Sequence, residues 1–168
     1  PVWWSLKNSL TAQIALLAGI ILVVLAVGAP IFATQNPFDL ASIDISFANL
    51  PPAWTESGDP MFLFGTDDQG RDLWSAMLYG MRLSLTISVI AVALSILLGV
   101  TLGLLAGFAG GWIESLIMRI CDIMLSFPAI LLALLIDGIL RAALPAGEHT
   151  LLPYVVLIAA ITLSGWVP

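Results

Sequence analysis

Charged residues are scarce in this 168-residue sequence, where Asp, Glu, Lys and Arg together make up 10% of the chain. Hydrophobic residues make up 60%, and the mean hydropathy is +1.08. Soluble domains typically have about 25% charged and about 45–50% apolar residues. Because no soluble core of this length needs so much apolar surface, the composition excludes an ordinary soluble domain and indicates a membrane protein.

Basic residues, cysteine and histidine are also few, and their scarcity excludes several functions. Five Lys and Arg against eleven Asp and Glu give a net charge of −6, which makes nucleic acid a poor partner. The single Cys121 cannot form an internal disulfide, and the single His149 is more typical of a surface or interface position than of a metal site. The sequence has no glycine-rich phosphate loop and no nucleophile beside a base. We therefore predict no catalytic residue, no metal site and no cofactor bound by this chain.

Four apolar runs divide the sequence. The first, about twenty residues from Ile14 to Ala33, is long enough to cross the roughly 30 Å hydrocarbon core as a helix. A secretory signal peptide with Lys7 in its basic region is the alternative, but the run exceeds the roughly 7–15 residues of a signal core. We interpret the sequence as part of a longer chain, because a C-terminus inside an apolar run would leave carbonyl groups without partners in lipid. The predicted segments are a lead (1–9), a first transmembrane helix (10–33), a loop with an interfacial helix (34–82), a second transmembrane helix (83–109), a loop (110–118), a third transmembrane helix (119–140), a loop (141–150) and a fourth, incomplete transmembrane helix (151–168).

Small residues recur at every fourth position along the second apolar run. They are Ala91, Ser95, Gly99, Gly103, Gly107 and Gly111, hereafter the glycine seam. Glycine costs roughly 1 kcal/mol relative to alanine inside an exposed helix, so this register needs a compensating gain. In a bilayer, small residues allow two helix backbones to approach closely. We therefore predict that the seam is a helix-packing contact; the alternative is a glycine-rich helix facing lipid.

The segment before the second run is rich in proline and ends in an acidic motif. The motif residues are Gly65, Thr66, Asp67, Asp68, Gly70, Arg71 and Asp72. Thr66 is predicted to cap a helix by accepting hydrogen bonds from the amides two and three residues on, with Asp67 and Asp68 in the first turn, where negative charge is favoured. The carboxylates could instead hold a divalent cation, but they lack the alternating spacing of a calcium loop, and Arg71 can neutralise them. A structural cap with an ion pair is the favoured interpretation.

The third apolar run is short and has charges at both ends. Fourteen residues separate Asp122 from Asp137, which is about 21 Å of helix, so a third span has to include one charged end. Arg119 and Asp122, spaced i,i+3, can form an ion pair on one face, and so can Asp137 with Arg141, spaced i,i+4. Pro128 removes a backbone hydrogen bond and can bend the helix near its middle. The candidate pathway or kink residues are Arg119, Asp122, Ser126, Phe127 and Pro128. Such a helix suits a moving or pore-lining role, and a static pair of charges reaching the interface is the alternative.

The order of these motifs resembles that of the membrane subunits of dipeptide and oligopeptide ABC importers, a family that also includes nickel importers. The resemblance covers nearly the whole chain from about Leu10, and it is closest to the C-type permease. The motifs that carry it are the sequence from Gly65 to Asp72, Arg82-Leu83-Ser84-Leu85, the glycine seam with Gly110-Gly111, and Arg119 followed by the sequence from Asp122 to Pro128 that ends in Ser-Phe-Pro. The acidic motif combined with the Ser-Phe-Pro motif about fifty-five residues later is the specific part.

The resemblance implies an all-α polytopic membrane protein with the type I ABC importer permease fold, of which this chain would supply about four of six transmembrane helices. It implies a cytoplasmic N-terminus in a bacterial or archaeal cytoplasmic membrane, so that segments 1–9 and 110–118 are cytoplasmic and segments 34–82 and 141–150 extracytoplasmic. The implied partners are a homologous permease, two ATPase subunits that bind ATP and Mg²⁺, and an extracytoplasmic solute-binding protein. The family's coupling loop would follow Pro168, so no coupling residue is assigned.

Two observations leave alternatives open. The implied orientation puts only two of the five basic residues, Lys7 and Arg119, on the cytoplasmic side, fewer than the positive-inside rule favours. Asp122 and Asp137 could serve an ATP-independent channel or a proton-coupled membrane protein. A binding module formed by residues 37–72 and tethered by the helices is a further alternative. No residue identifies the solute.

Overall fold

The computed structural model describes residues 7–143 and 151–167. The first six residues of the lead, most of the loop 141–150 with His149, and Pro168 lie outside the described residues. Within those ranges the secondary structure is helical apart from an isolated antiparallel bridge between Thr66 and Asp72. The α-helices are α1 (Leu10–Val27), α2 (Ala29–Phe32), α3 (Leu73–Ala109), α4 (Gly111–Ser126), α5 (Ala129–Ala143) and α6 (Leu152–Gly165), and two 3₁₀ turns lie at Leu40–Ser42 and Ile45–Phe47. The chain forms two compact units, one ending at Leu85 and one beginning at Thr86.

Helix α1 begins at a serine cap and ends at a glycine. The Ser9 hydroxyl accepts a hydrogen bond from the Ala12 amide at 3.4 Å, and the Gly28 amide donates to the Val24 carbonyl at 2.8 Å. The helix has no charged residue and is long and apolar enough to span a bilayer. The segment predicted as one helix over 10–33 is therefore an 18-residue helix followed by the single turn of α2.

The Pro-rich loop before α3 is held by aromatic contacts. The Phe47 and Phe62 rings lie 5.4 Å apart, and Phe64 contacts Trp54 on one side and Trp74 on the other, at 5.8 and 5.7 Å between ring centroids. Phe62 is almost completely buried. The loop is thus a packed structure rather than an extended linker.

Helix α3 is a single helix of 37 residues. The predicted boundary at 82/83 between an interfacial helix and a span is not a break, because no proline stands between Asp72 and Gly110 to interrupt the backbone hydrogen bonds. At 1.5 Å per residue its length is about 55 Å, so it extends well beyond a hydrocarbon core of roughly 30 Å.

Helices α4 and α5 differ most from the predicted segments. The prediction of a loop over 110–118 was wrong, because only Gly110 separates α3 from α4. Gly110 has a φ of 60° and a ψ of −168°. Glycine adopts this conformation without steric cost, so one residue suffices to redirect the chain. Glu114 in the first turn of α4 also favours a helix start there. The axes of α4 and α5 differ by 94°, so together they are a broken span or a re-entrant segment.

Helix α6 packs on α5 and, through a smaller contact, on α4. Pro153 lies in its first turn, where the missing amide hydrogen costs nothing. Its buried residues Leu152, Val156 and Ala160 are one turn apart and form one apolar stripe. With 14 residues, α6 is shorter than a typical spanning helix.

Candidate functional site

The acidic motif forms a tight turn rather than the first turn of a helix. The Asp67 amide donates to the Arg71 carbonyl at 3.0 Å, and the Gly70 amide donates to the Asp67 carbonyl at 3.1 Å. The predicted cap at Thr66 was wrong. The Thr66 hydroxyl accepts from the Leu50 amide at 2.9 Å and donates to the Phe47 carbonyl. Its side chain therefore joins the motif to the preceding loop, and helix α3 begins only after the turn is complete.

Asp67 stabilises this turn from inside. One carboxylate oxygen accepts from the Gln69 and Arg71 amides, both at 2.9 Å, and the other pairs with the Arg71 side chain at 2.7 Å. Burial alone would raise the pKa of Asp67, but the hydrogen bonds from Arg71 and Gln69 and the positive charge of Arg71 outweigh it, so the pKa is lowered. The predicted ion pair is present.

The three carboxylates of the motif do not converge on a cation. Asp67 is occupied by the turn, and Asp72 is buried among hydroxyl and amide donors. Across residues 7–143 and 151–167, no three side chains of His, Cys, Asp or Glu are grouped so that they could hold a metal ion.

Two glycines of the motif, Gly65 and Gly70, cannot be replaced by another residue without backbone strain. Gly65 and Gly70 both have a φ of +80°, in the left-handed region that side chains disfavour. A Cβ atom on Gly65 would lie 2.3 Å from the Leu50 carbonyl oxygen, and one on Gly70 would lie 2.2 Å from that of Asp44. The motif therefore closes onto the Pro-rich loop at two backbone contacts.

Asp72 is the residue that caps α3. Its carboxylate accepts from the Trp74 amide at 3.2 Å and the Ser75 amide at 3.1 Å. It also accepts from the hydroxyls of Ser75, at 2.6 Å, and Thr34. Sequence reasoning missed Thr34 and Ser75. The Asp-x-x-Ser spacing at 72–75 was an available signal for the cap, whereas nothing local predicted that Thr34 would reach it.

The first half of the glycine seam is a helix contact. The Ser95 hydroxyl donates to the Thr162 carbonyl at 3.4 Å, and the Thr162 hydroxyl donates to the Ala91 carbonyl at 3.5 Å. A Cβ atom on Gly99 would lie 2.8 Å from the Trp166 carbonyl oxygen. Helix α6 thus lies against α3 at these positions, with backbone nearly touching backbone at Gly99.

The second half of the seam faces open space among the described residues. A Cβ atom on Gly103 or Gly107 would meet no other atom within 4 Å, apart from the helix itself and its chain neighbours. The prediction that the seam continues to Gly111 on the same helix was wrong, because α3 ends at Ala109 and Gly111 begins α4. Large apolar side chains flank this half, and Phe108 is 96% exposed. The seam is therefore divided into a half that contacts α6 and a half that the described residues leave uncovered.

The helix break lies at the Ser-Phe-Pro motif. The Ser126 hydroxyl donates a hydrogen bond to the Asp122 carbonyl at 2.7 Å, and the Phe127 amide donates to the Met124 carbonyl at 3.2 Å. Because Pro128 has no amide hydrogen, the ladder stops there and α5 begins in a new direction. An apolar groove of about 590 Å³ lies beside the break, lined by Met124, Phe127, Leu131, Leu132, Leu134 and Leu135.

The charges around the break are not arranged as two equivalent pairs. Asp137 and Arg141 form an ion pair at 2.8 Å on a partly exposed face of α5. The described helices contain no ion pair between Arg119 and Asp122. Asp122 instead contributes its carbonyl to the Ser126 contact. The structure brings Asp122, Ser126, Phe127 and Pro128 together at the break. Arg119 lies further from the break, about one helical turn before Asp122.

Apolar helices of spanning length, a broken helix pair and a small-residue seam indicate a helical, multi-pass membrane protein. No family model matches the chain. The chain is 39% identical over 142 residues to the dipeptide transport system permease protein DppC of Haemophilus influenzae, covering 84% of this chain and 47% of that protein. It is 45% identical over 137 residues to the protein of the same name from Escherichia coli K12, covering 82% of this chain and 45% of that protein. It is 32% identical over 164 residues to the oligopeptide transport system permease protein OppC of Bacillus subtilis, covering 96% of this chain and 47% of that protein.

The chain therefore belongs to the dipeptide and oligopeptide ABC importer permease family, as its motifs predicted. It spans about half the length of the curated relatives it matches.

Proposed function

We propose that this chain is part of the membrane permease subunit of an ATP-driven importer, and that it forms one side of a translocation pathway for dipeptides or related small peptides. The observation that carries the proposal is the match, over more than four-fifths of the chain, to permeases named for dipeptide transport. The broken α4–α5 pair supports it, because discontinuous helices and interrupted backbone are typical of transporter pathways.

The proposed assembly has four kinds of component: this permease, a homologous permease, two ATPase subunits and an extracytoplasmic solute-binding protein, in a bacterial or archaeal cytoplasmic membrane. ATP and Mg²⁺ would bind the ATPase subunits and not this chain. Nucleotide binding and release there would alternately open the pathway to the two sides of the membrane.

Within this assembly, the uncovered half of the seam is the proposed contact with the second permease. Gly103 and Gly107 have no neighbour in the described chain, yet each lowers helix propensity by roughly 1 kcal/mol relative to alanine. A partner helix that approaches the backbone closely supplies the compensating gain. Asp122 and Pro128 are then proposed to lie on the pathway helix, towards the cytoplasmic side.

The proposed function is tested by uptake in cells that lack the gene for the full-length protein. Labelled dipeptides, longer peptides and nickel are offered separately to the deletion strain and to the complemented strain. We expect dipeptide uptake to be lost on deletion and restored by the gene only when the ATPase genes are also present. Uptake that persists without the ATPase subunits would instead favour an ATP-independent channel.

The proposed orientation is tested by labelling an engineered cysteine. Glu56 is exposed in the Pro-rich loop, so Glu56→Cys in a Cys121→Ser background should react with a membrane-impermeant maleimide added to intact cells. A cysteine that reacts only after the cells are opened places this loop in the cytoplasm and overturns the orientation.

A further inference from the structure

The end of the first span and the start of α3 are tied together by three polar side chains, the buried Asp72 and Ser75 and the exposed Thr34, hereafter the Asp72 joint. Asp72 and Ser75 are both 0% exposed. The Asp72 carboxylate accepts four hydrogen bonds, two from backbone amides of α3 and two from the hydroxyls of Ser75 and Thr34. All of its donors are neutral groups.

The Ser75 hydroxyl completes the joint from the other direction. While it donates to Asp72, it accepts from the Thr34 amide at 3.0 Å and the Gln35 amide at 3.3 Å. The Trp74 indole adds a bond to the Phe32 carbonyl at 3.2 Å. The backbone that leaves the first span is therefore fixed to the first turn of α3 by side chains about 40 positions later in the sequence.

Opening this joint would leave buried polar side chains with fewer hydrogen-bond partners. Separating Thr34 and Gln35 from α3 removes one donor from the buried Asp72 carboxylate and both amide donors from the buried Ser75 hydroxyl. Buried polar groups that lose hydrogen-bond partners are strongly unfavourable. The contact of Ala91 and Ser95 with Thr162 involves no carboxylate and rests on two long hydroxyl–carbonyl bonds of 3.5 and 3.4 Å.

We infer that the Asp72 joint stays closed throughout the transport cycle and makes α2 and the extracytoplasmic end of α3 one rigid body, so that conformational change takes place elsewhere in the chain. The inference rests on the proposed function, since it presumes a transport cycle. It assigns Asp72 a positioning role and separates it from any contact with the solute.

A disulfide across the joint tests this directly. The Thr34 and Ser75 hydroxyl oxygens are 3.0 Å apart, close enough for Thr34→Cys and Ser75→Cys to be bridged. Both changes are made in a full-length Cys121→Ser background, assembled with its partner subunits in proteoliposomes, and bridge formation is measured by loss of maleimide labelling. We expect the oxidised double variant to import labelled dipeptide within twofold of its reduced form. A tenfold loss on oxidation that a reductant reverses would overturn the inference.

The single Thr34→Cys and Ser75→Cys variants, oxidised in the same way, are the matched controls for effects of the oxidant. A second measurement leaves the joint residues intact. Spin labels at Ile31→Cys and Met77→Cys, both exposed positions on either side of the joint, report the distance between the two helix ends. We expect the same distance distribution in the nucleotide-free and ATP-trapped complexes, and a shift of several Å would contradict a closed joint.

The two experiments also separate this inference from the proposed function. The Cys121→Ser parent could import no peptide under conditions where the native complex does. In that case the spin-label distances, and not uptake, decide whether the joint stays closed. If the native complex imports nothing, the proposed function fails, whereas a distance that stays constant between nucleotide states still supports a rigid joint.

Discussion

Two glycines of the same seam should respond oppositely to the same substitution. Gly99 and Gly103 are one turn apart on α3, but a Cβ atom on Gly99 meets the Trp166 carbonyl oxygen at 2.8 Å, whereas one on Gly103 meets nothing within 4 Å. Because both are interior helix positions, changing either to alanine brings the same gain in helix propensity, about 1 kcal/mol. The comparison of the two variants therefore isolates the packing contact.

The magnitude follows from the position of the Trp166 carbonyl. A contact of 2.8 Å falls about 0.6 Å short of the 3.4 Å at which ordinary Cβ contacts begin. This carbonyl oxygen belongs to the backbone, so the end of α6 has to move as a whole. Overpacking of this kind costs about 1–3 kcal/mol. Gly99→Ala should therefore be about 1–3 kcal/mol less stable than Gly103→Ala.

Thermal unfolding of the purified protein in detergent measures this difference. At roughly 2–4 °C per kcal/mol for chains of this size, the Tm of Gly99→Ala should lie about 2–12 °C below that of Gly103→Ala, which should match or slightly exceed the native value. Equal Tm values for the two variants would refute the close approach of α3 and α6. Leucine at the same two positions extends the test, since Gly103→Leu should leave the folded chain intact but reduce its assembly with the second permease.

Three further predictions concern the acidic turn and the helix break. Gly65→Ala should destabilise the loop by more than about 1 kcal/mol, because it combines a positive φ with a clash against the Leu50 carbonyl; faster proteolysis of the loop would show it, and unchanged cleavage would contradict the geometry. Asp67→Asn should cost up to about 1 kcal/mol at pH 7, since the pair with Arg71 is partly solvent-exposed. Because the folded pKa of Asp67 is lowered, its contribution is present above the usual carboxyl pKa near 3.9 and is lost as the pH falls through the folded value. The difference in Tm between the native protein and Asp67→Asn should therefore shrink below about pH 4, and a difference that grows there would refute the assignment. Pro128→Ala restores the missing amide, so we expect the 94° bend between α4 and α5 to relax and dipeptide uptake to fall severalfold with assembly retained; unchanged uptake would exclude a role for the bend.

Periodicity and composition predicted the helical class because each long helix lacks charge and proline over its apolar part. They could not locate every boundary. The break at Pro128 followed from a missing amide hydrogen, but its sharpness depends on how Ser126 and Phe127 satisfy the last carbonyls of α4. The helix start at Gly111 depends on two adjacent glycines, Gly110 and Gly111, adopting a positive φ, whereas composition alone predicted a loop there.

The candidate site was partly predictable where partners are close in sequence and not where they are distant. Among the close pairs, Arg119 and Asp122, spaced i,i+3, do not form the ion pair that their spacing allows. The pairs Asp67–Arg71 and Asp137–Arg141 are spaced i,i+4, and both are present. The prediction that Thr66 caps a helix was wrong because its hydrogen-bond partners, Phe47 and Leu50, lie in the preceding loop.

The most direct test of the account is peptide accumulation in proteoliposomes that contain the full-length permease, its homologous partner permease and both ATPase subunits, with the binding protein supplied on the extracytoplasmic face. Labelled dipeptide should accumulate only when ATP is available to the ATPase subunits, and accumulation should stop when these subunits are left out. Accumulation without the ATPase subunits, or none with every component present, would contradict the account.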